Sequence, residues 1–182
     1  MKIINIDLAQ NNKKNVPLII LNGSGGVGKD SFVNACANYV SLENYSTITY
    51  YKEIAKEKFN WDGIKDEKGR KLLSDLKRAS IEYNNLPLKQ FQKEYDEIND
   101  MHLVDMFICM CRDIDDIKKI KILYPHTITV LVTNKNVSDI HSNVGDDNVY
   151  NWYYDYIIAN DGDLNDLNES AKTFLQEIGM KI

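Results

Sequence analysis

The sequence predicts an α/β protein, a three-layer sandwich built on a five-stranded parallel sheet. Three observations carry this. Short, continuous apolar runs recur along the chain, as in Val16–Asn22 (VPLIILN), Leu103–Met110 (LVDMFICM) and Thr127–Val132 (TITVLV). Such runs suit strands buried on both faces. Segments of helical period separate them, and that alternation implies parallel strands with helices on either side. A glycine-rich turn stands between the first run and the first helical segment.

The elements follow in order. After the first strand, Lys29 to Leu42 reads as a helix with Phe32, Cys36 and Val40 on one face. Ser46–Tyr51 (STITYY) reads as a second strand because its residues are β-branched or aromatic, with a short helix at 52–59. Two helices then predict a helical insertion. Glu67–Tyr83 places Leu72, Leu76, Ala79 and Tyr83 on one stripe, and Pro87–Ile98 places Leu88, Phe91, Tyr95 and Ile98 on another. The third strand comes next, then a helix capped by Asp113, with Asp116 in its positive first turn. The fourth strand is followed by a polar stretch, 133–151, a fifth strand at Tyr154–Ala159, and a last helix capped by Asp163. Leu164, Leu167, Ala171, Phe174 and Ile178 line that helix. Met1–Ala9 is left undecided as an edge strand. The 182 residues read as one domain, with a core at 16–59 and 101–182, an insertion at 60–100 and a lid at 133–151.

Composition sets limits. The net charge is -5, which speaks against a general nucleic-acid surface. No apolar run approaches the roughly 20 residues that span a bilayer, and no secretory signal is read at the N-terminus. Cys36, Cys109 and Cys111 have apolar neighbours and read as buried thiols of a reducing, cytoplasmic setting. Zinc on Cys109, Cys111 and His102 is disfavoured, because the C-x-C pair lacks a second ligand pair. A homodimer is left open.

The chemistry lies in Gly23-Ser24-Gly25-Gly26-Val27-Gly28-Lys29-Asp30-Ser31. Gly23 and Gly28 occupy the fixed glycine positions of a phosphate-binding loop, and Lys29 its lysine position. Backbone N–H groups turned toward phosphate oxygens need glycine dihedrals, and the helix that follows adds its positive end. The residue after the lysine is normally Ser or Thr; here it is Asp30, with Ser31 one later. Asp30 reads as a magnesium ligand, direct or through water, or as a first-turn carboxylate favoured by the helix dipole. Ser31 suits the α-phosphate.

Ligands of parallel sheets sit at the carboxyl ends of the strands. The loop, Arg112, segment 133–151 and Asn160–Gly162 all fall there by position. The chain has only three arginines, Arg70, Arg78 and Arg112. Arg112 reads as a phosphate ligand or as an ion-pair partner of Asp115 or Asp116. Arg70 and Arg78 read first as solvated helix-face residues. Asp105 lies early in its strand for a magnesium-side carboxylate. Asp62 and Asp66 suit acceptor contacts or turns equally.

The chain resembles the nucleoside monophosphate kinases, and looks most like the deoxynucleoside monophosphate kinases of phages and bacteria. The resemblance is carried by Gly28-Lys29-Asp30-Ser31, Trp61-Asp62-Gly63, Lys65-Asp66, Gly69-Arg70-Lys71-Leu72-Leu73 and Arg112-Asp113. Tyr154-Asp155-Tyr156-Ile157-Ile158 and Asn160-Asp161-Gly162 add to it. Animal phosphomevalonate kinases share the loop variant. The resemblance implies ATP and Mg2+ on the loop, and adenine near Asn160 and Gly162. Lys29 and Arg112 would then be catalytic, and a nucleotide acceptor would sit on the insertion near Asp62, Lys65, Arg70 and Arg78. Segment 133–151 departs from the family's arginine-bearing lid: it holds Lys135 against Asp139, Asp146 and Asp147, with His141 read as a surface residue. That leaves room for a nucleotide-binding regulatory protein, or for a kinase of a non-nucleotide acceptor.

Overall fold

A computed structural model describes residues 15–64, 66–137 and 148–182. Five parallel strands form one sheet in the order β2-β3-β1-β4-β5. The strands are β1 (Leu18–Asn22), β2 (Leu42–Ser46), β3 (Met106–Met110), β4 (Ile128–Thr133) and β5 (Tyr156–Ala159). The helices are α1 (Lys29–Ala37), α2 (Thr49–Phe59), α3 (Glu67–Asn84), α4 (Leu86–Met101), α5 (Ile114–Leu123) and α6 (Leu164–Glu177).

Alternation along each strand divides the core into two layers. Ile19, Leu21, Ile108, Val130 and Val132 face one side, where Phe32 and Cys36 of α1 and Leu167, Ala171 and Phe174 of α6 close over them. Leu18, Ile20, Phe107 and Cys109 face the other, under Phe91 and Tyr95 of α4 and Ile117 and Ile120 of α5. The three-layer expectation is therefore met.

Five expectations need correction. Ser46–Tyr51 is not a strand. β2 is Leu42–Ser46, whose residues pair in register with β3 from Leu42↔Met106 to Ser46↔Met110. The β-branched and aromatic residues after it open α2 instead, because Tyr51 and Ala55, one turn apart, bury completely against Leu73. Tertiary packing here overrides local β propensity.

The stripe on α3 is rotated from the expected one. Gly69 and Leu73 are its buried residues, while Ala79 is exposed and Tyr83 retains 88% of its surface. Leu164, expected to line α6, is exposed.

The insertion differs from the expected 60–100, because α4 belongs to the core and α2 does not. α4 packs directly on the sheet, where the Tyr95 hydroxyl donates to Val16 O at 2.8 Å and Asn99 Oδ1 accepts from Val16 N at 2.9 Å. The elements that leave the core are α2 and α3, which share a small apolar cluster of their own. α1 starts at Lys29 as expected but stops at Ala37, because Leu42 is taken into β2. α5 and α6 keep their expected places, with Asp113 and Asp163 as N-caps; Asp163 and Asp166 form a reciprocal capping box.

Candidate nucleotide site

All five strands end at one edge, and the loop rises from the middle of it. The loop's conformation depends on residues that arrive from elsewhere. Gly23 has φ 146°, and a Cβ there would lie 2.5 Å from Val132 O of β4. Gly28 has φ 96° and caps α1, and a Cβ there would collide with the Asn160 amide. Both positions therefore demand glycine on conformation and on space. Asp side chains cap α3, α5 and α6. Gly28 offers α1 no side-chain acceptor, so no side-chain cap closes that first turn.

The loop is braced on both sides. Asn22 is fully buried; its Oδ1 accepts from Gly23 N at 2.7 Å, and its Nδ2 donates to the Tyr154 hydroxyl at 2.7 Å. Tyr154 in turn donates to Val149 O at 2.6 Å. Burial pushes that phenol up to about 12, so it stays a neutral donor. On the other side Asn160 Nδ2 donates to Val27 O at 2.9 Å. Sequence reading missed Asn22 and Tyr154. The available signal was a polar residue closing an otherwise apolar strand, where burial obliges it to find partners.

Lys29 folds over the loop, its Nζ donating to Gly23 O and Ser24 O at 2.7 Å each. Ser24 is buried, Asp30 exposed and Ser31 half-buried. Gly25 and Gly26 form the outer turn. Cys111 N donates to Leu21 O at 3.3 Å, extending the β1–β3 ladder, so half-buried Arg112 leaves the sheet beside the start of the loop. Lys135 N donates to Asp161 Oδ1 at 2.8 Å, and its Nζ lies 3.5 Å from Asp161 Oδ2. These bonds fasten segment 134–136 to the turn after β5. Lys65, Asp139, His141, Asp146 and Asp147 lie outside the described residues.

Arg78 is exposed and pairs within its own helix, at 2.8 Å from Asp75 Oδ1 and 4.0 Å from Glu82 Oε1. Its exposure and partners are those of a solvated helix-face residue. Arg70 is exposed too. Asp62 Oδ1 accepts from Ile64 N at 2.8 Å, shaping a turn, and Asp66 caps α3. Gly162 gives Asp166 room to complete the capping box, since a Cβ there would strike its carboxylate. Asp105 sits at the amino end of β3, where the Ser41 hydroxyl and N–H bond it and hold its carboxyl below the usual carboxylate range. The three thiols are free and buried, and no cluster of metal-binding side chains occurs among the described residues. Nor is any described helix long and apolar enough to cross a membrane.

No protein-family model and no curated protein matches the chain. Solved structures do. A sugar kinase from Janibacter sp. HTCC2649 superposes with a TM-score of 0.53 at 14% identity, covering 88% of this chain and 95% of that one. A shikimate kinase from Bacteroides thetaiotaomicron gives 0.49 at 13% identity, covering 90% and 99%. The chain has a P-loop kinase-like fold. At these identities the likeness is one of architecture, and the P-loop kinase-like fold leaves the acceptor open.

Proposed function

We propose that the protein transfers the γ-phosphoryl group of ATP to a small acceptor, a (deoxy)nucleoside monophosphate. The observation that supports this best is the loop: glycines held at positive φ, an uncapped helix start, and an ammonium already poised over the loop. A triphosphate would suit this loop, because glycines at positive φ at 23, 26 and 28 allow backbone N–H groups to turn to phosphate oxygens and no side chain caps the start of α1. Lys29 would leave Gly23 O and Ser24 O for the β- and γ-phosphates.

Magnesium would supply charge neutralisation between phosphate oxygens. Asp30 is the residue that would hold it, with Ser31 left for the α-phosphate; one carboxylate plus phosphates and water is a donor set this ion accepts. Arg112, leaving β3 beside the loop, would face the transferred group, where phosphoryl transfer asks mainly for positioning and positive charge. The acceptor would lie between α2–α3 and the ends of β2 and β3.

The reading is tested with purified protein, MgATP and a panel of nucleoside monophosphates. A diphosphate product from at least one acceptor is expected; tight ATP binding with no product from any acceptor overturns it. Lys29→Ala should abolish the thermal stabilisation given by ATP, and a retained shift would remove the loop from the nucleotide site. One observation favours a second reading, a nucleotide-binding module without turnover: Lys135, the cation of the lid segment, is engaged by Asp161. A thermal shift from a monophosphate alone would speak against that module.

A further inference from the structure

The α2–α3 insertion meets the sheet edge through a buried ion pair that the loop does not need. Lys77 of α3 donates from Nζ to Asp116 Oδ2 at 3.1 Å and to Thr47 Oγ1 at 3.3 Å. These three residues reach the carboxyl edge from separate places. Thr47 follows the last residue of β2, and Asp116 lies in the first turn of α5, four positions after Arg112. The Lys77 and Asp116 side chains keep 18% and 8% of their exposure. Asp116 Oδ1 also faces Lys119 at 3.6 Å. Beside the pair, Ser80 Oγ donates to Lys77 O at 2.7 Å and is bonded to the hydroxyl of Tyr51 on α2.

A buried ion pair is a poor stabiliser, because desolvating two charges cancels most of their attraction; apolar replacements of similar volume often serve stability as well. What the pair supplies is direction. The apolar residues of α3 pack against α2, with Leu73, Leu72 and Leu76 around Tyr51 and Ala55. That contact fixes the two helices to each other; α3 is also joined to α4 through Asn85, and the polar bonds of Lys77 tie its middle to the end of β2 and the start of α5.

We propose that Lys77 is a positioning residue: through Asp116 and Thr47 it sets the insertion, and with it the phosphoryl acceptor, against Arg112 and the loop. The word acceptor rests on the kinase reading above; the register of α3 does not.

The test compares the wild-type chain with Lys77→Arg, Thr47→Val and the double replacement Lys77→Met with Asp116→Leu. The readouts are Tm, ATP Kd, acceptor KM, and amide hydrogen exchange over residues 67–84. The double replacement should keep Tm and ATP Kd near wild type while speeding exchange in α3. It should also raise acceptor KM by about tenfold or more, as expected when a reacting group is misplaced by an ångström or less. Lys77→Arg should stay near wild type, and Thr47→Val should shift the same quantities in the same direction by less. Should the double replacement fail to fold, Thr47→Val carries the test. Wild-type exchange in α3 together with wild-type acceptor KM overturns the proposal. Absence of product from wild-type protein would refute the kinase reading alone, and α3 exchange would still decide whether Lys77 sets the register.

Discussion

At the scale of single residues, the loop owes its shape to Asn160 as much as to its own glycines. Asn160→Ala deletes the bond to Val27 O and should cost about 1 kcal/mol of stability, together with part of the ATP-induced thermal shift. Gly28→Ala should be worse. It places a side chain at positive φ, which costs about 1–3 kcal/mol, and drives a methyl group into the Asn160 amide. Combining the two replacements should relieve the collision and leave the backbone strain, so the ATP-dependent shift should recover only in part. A full recovery would show that space, not conformation, dictates glycine at 28. The glycine pattern and Lys29 were readable in the sequence because their chemistry is local. Asn22, Tyr154 and the bracing role of Asn160 were not, because each acts on a partner that only the sheet order brings near.

At the scale of elements, the sheet's last ladder begins on a charge. Asp155 Oδ2 accepts from Thr129 N and Oγ1 at 2.8 Å each and from Lys121 Nζ at 3.2 Å. Burial works to raise its carboxyl, but the Thr129 and Lys121 bonds outweigh it and hold the group below the ordinary aspartate value. A depressed carboxylate contributes stability above its unfolded pKa of about 3.9 and loses it as pH falls through the lower folded value. The Tm gap between wild type and Asp155→Asn should therefore be full at neutral pH and close in strong acid; a gap that is constant with pH would show the charge to be idle. Strand β2 teaches a different lesson about legibility. Leu42–Ser46 is a weak strand former by composition, and its partner β3 selects it by register. Ser46–Tyr51 has the stronger local preference, yet it ends β2, turns at Thr47 and Ile48 and opens α2 from Thr49, since Tyr51 and Ala55 find a cluster only at helical spacing. Strands buried on both faces announce themselves through continuous apolar runs; the polar edge strand β2 and a helix packed on a small satellite cluster do not.

At the scale of the whole molecule, the two apolar layers seal the thiols. Burial pushes Cys36 and Cys111 up to about 12 and Cys109 well above the ordinary thiol range. All three should stay silent toward a thiol reagent at pH 8 in the native state and react together on unfolding. Early reaction of Cys109 or Cys111 would show that the layer under α4 and α5 opens before the layer under α1 and α6. The tie between Val27 and Asn160 spans 133 positions, and this separation has a consequence for synthesis. A ribosome emits the glycine loop early and its brace late. Until Asn160 has emerged, a nascent chain carries the sequence of the loop without the support that shapes it. A nucleotide bound as proposed would therefore assist only the closing stage of this protein's folding, and a chain stalled short of that asparagine has the motif but not the braced site.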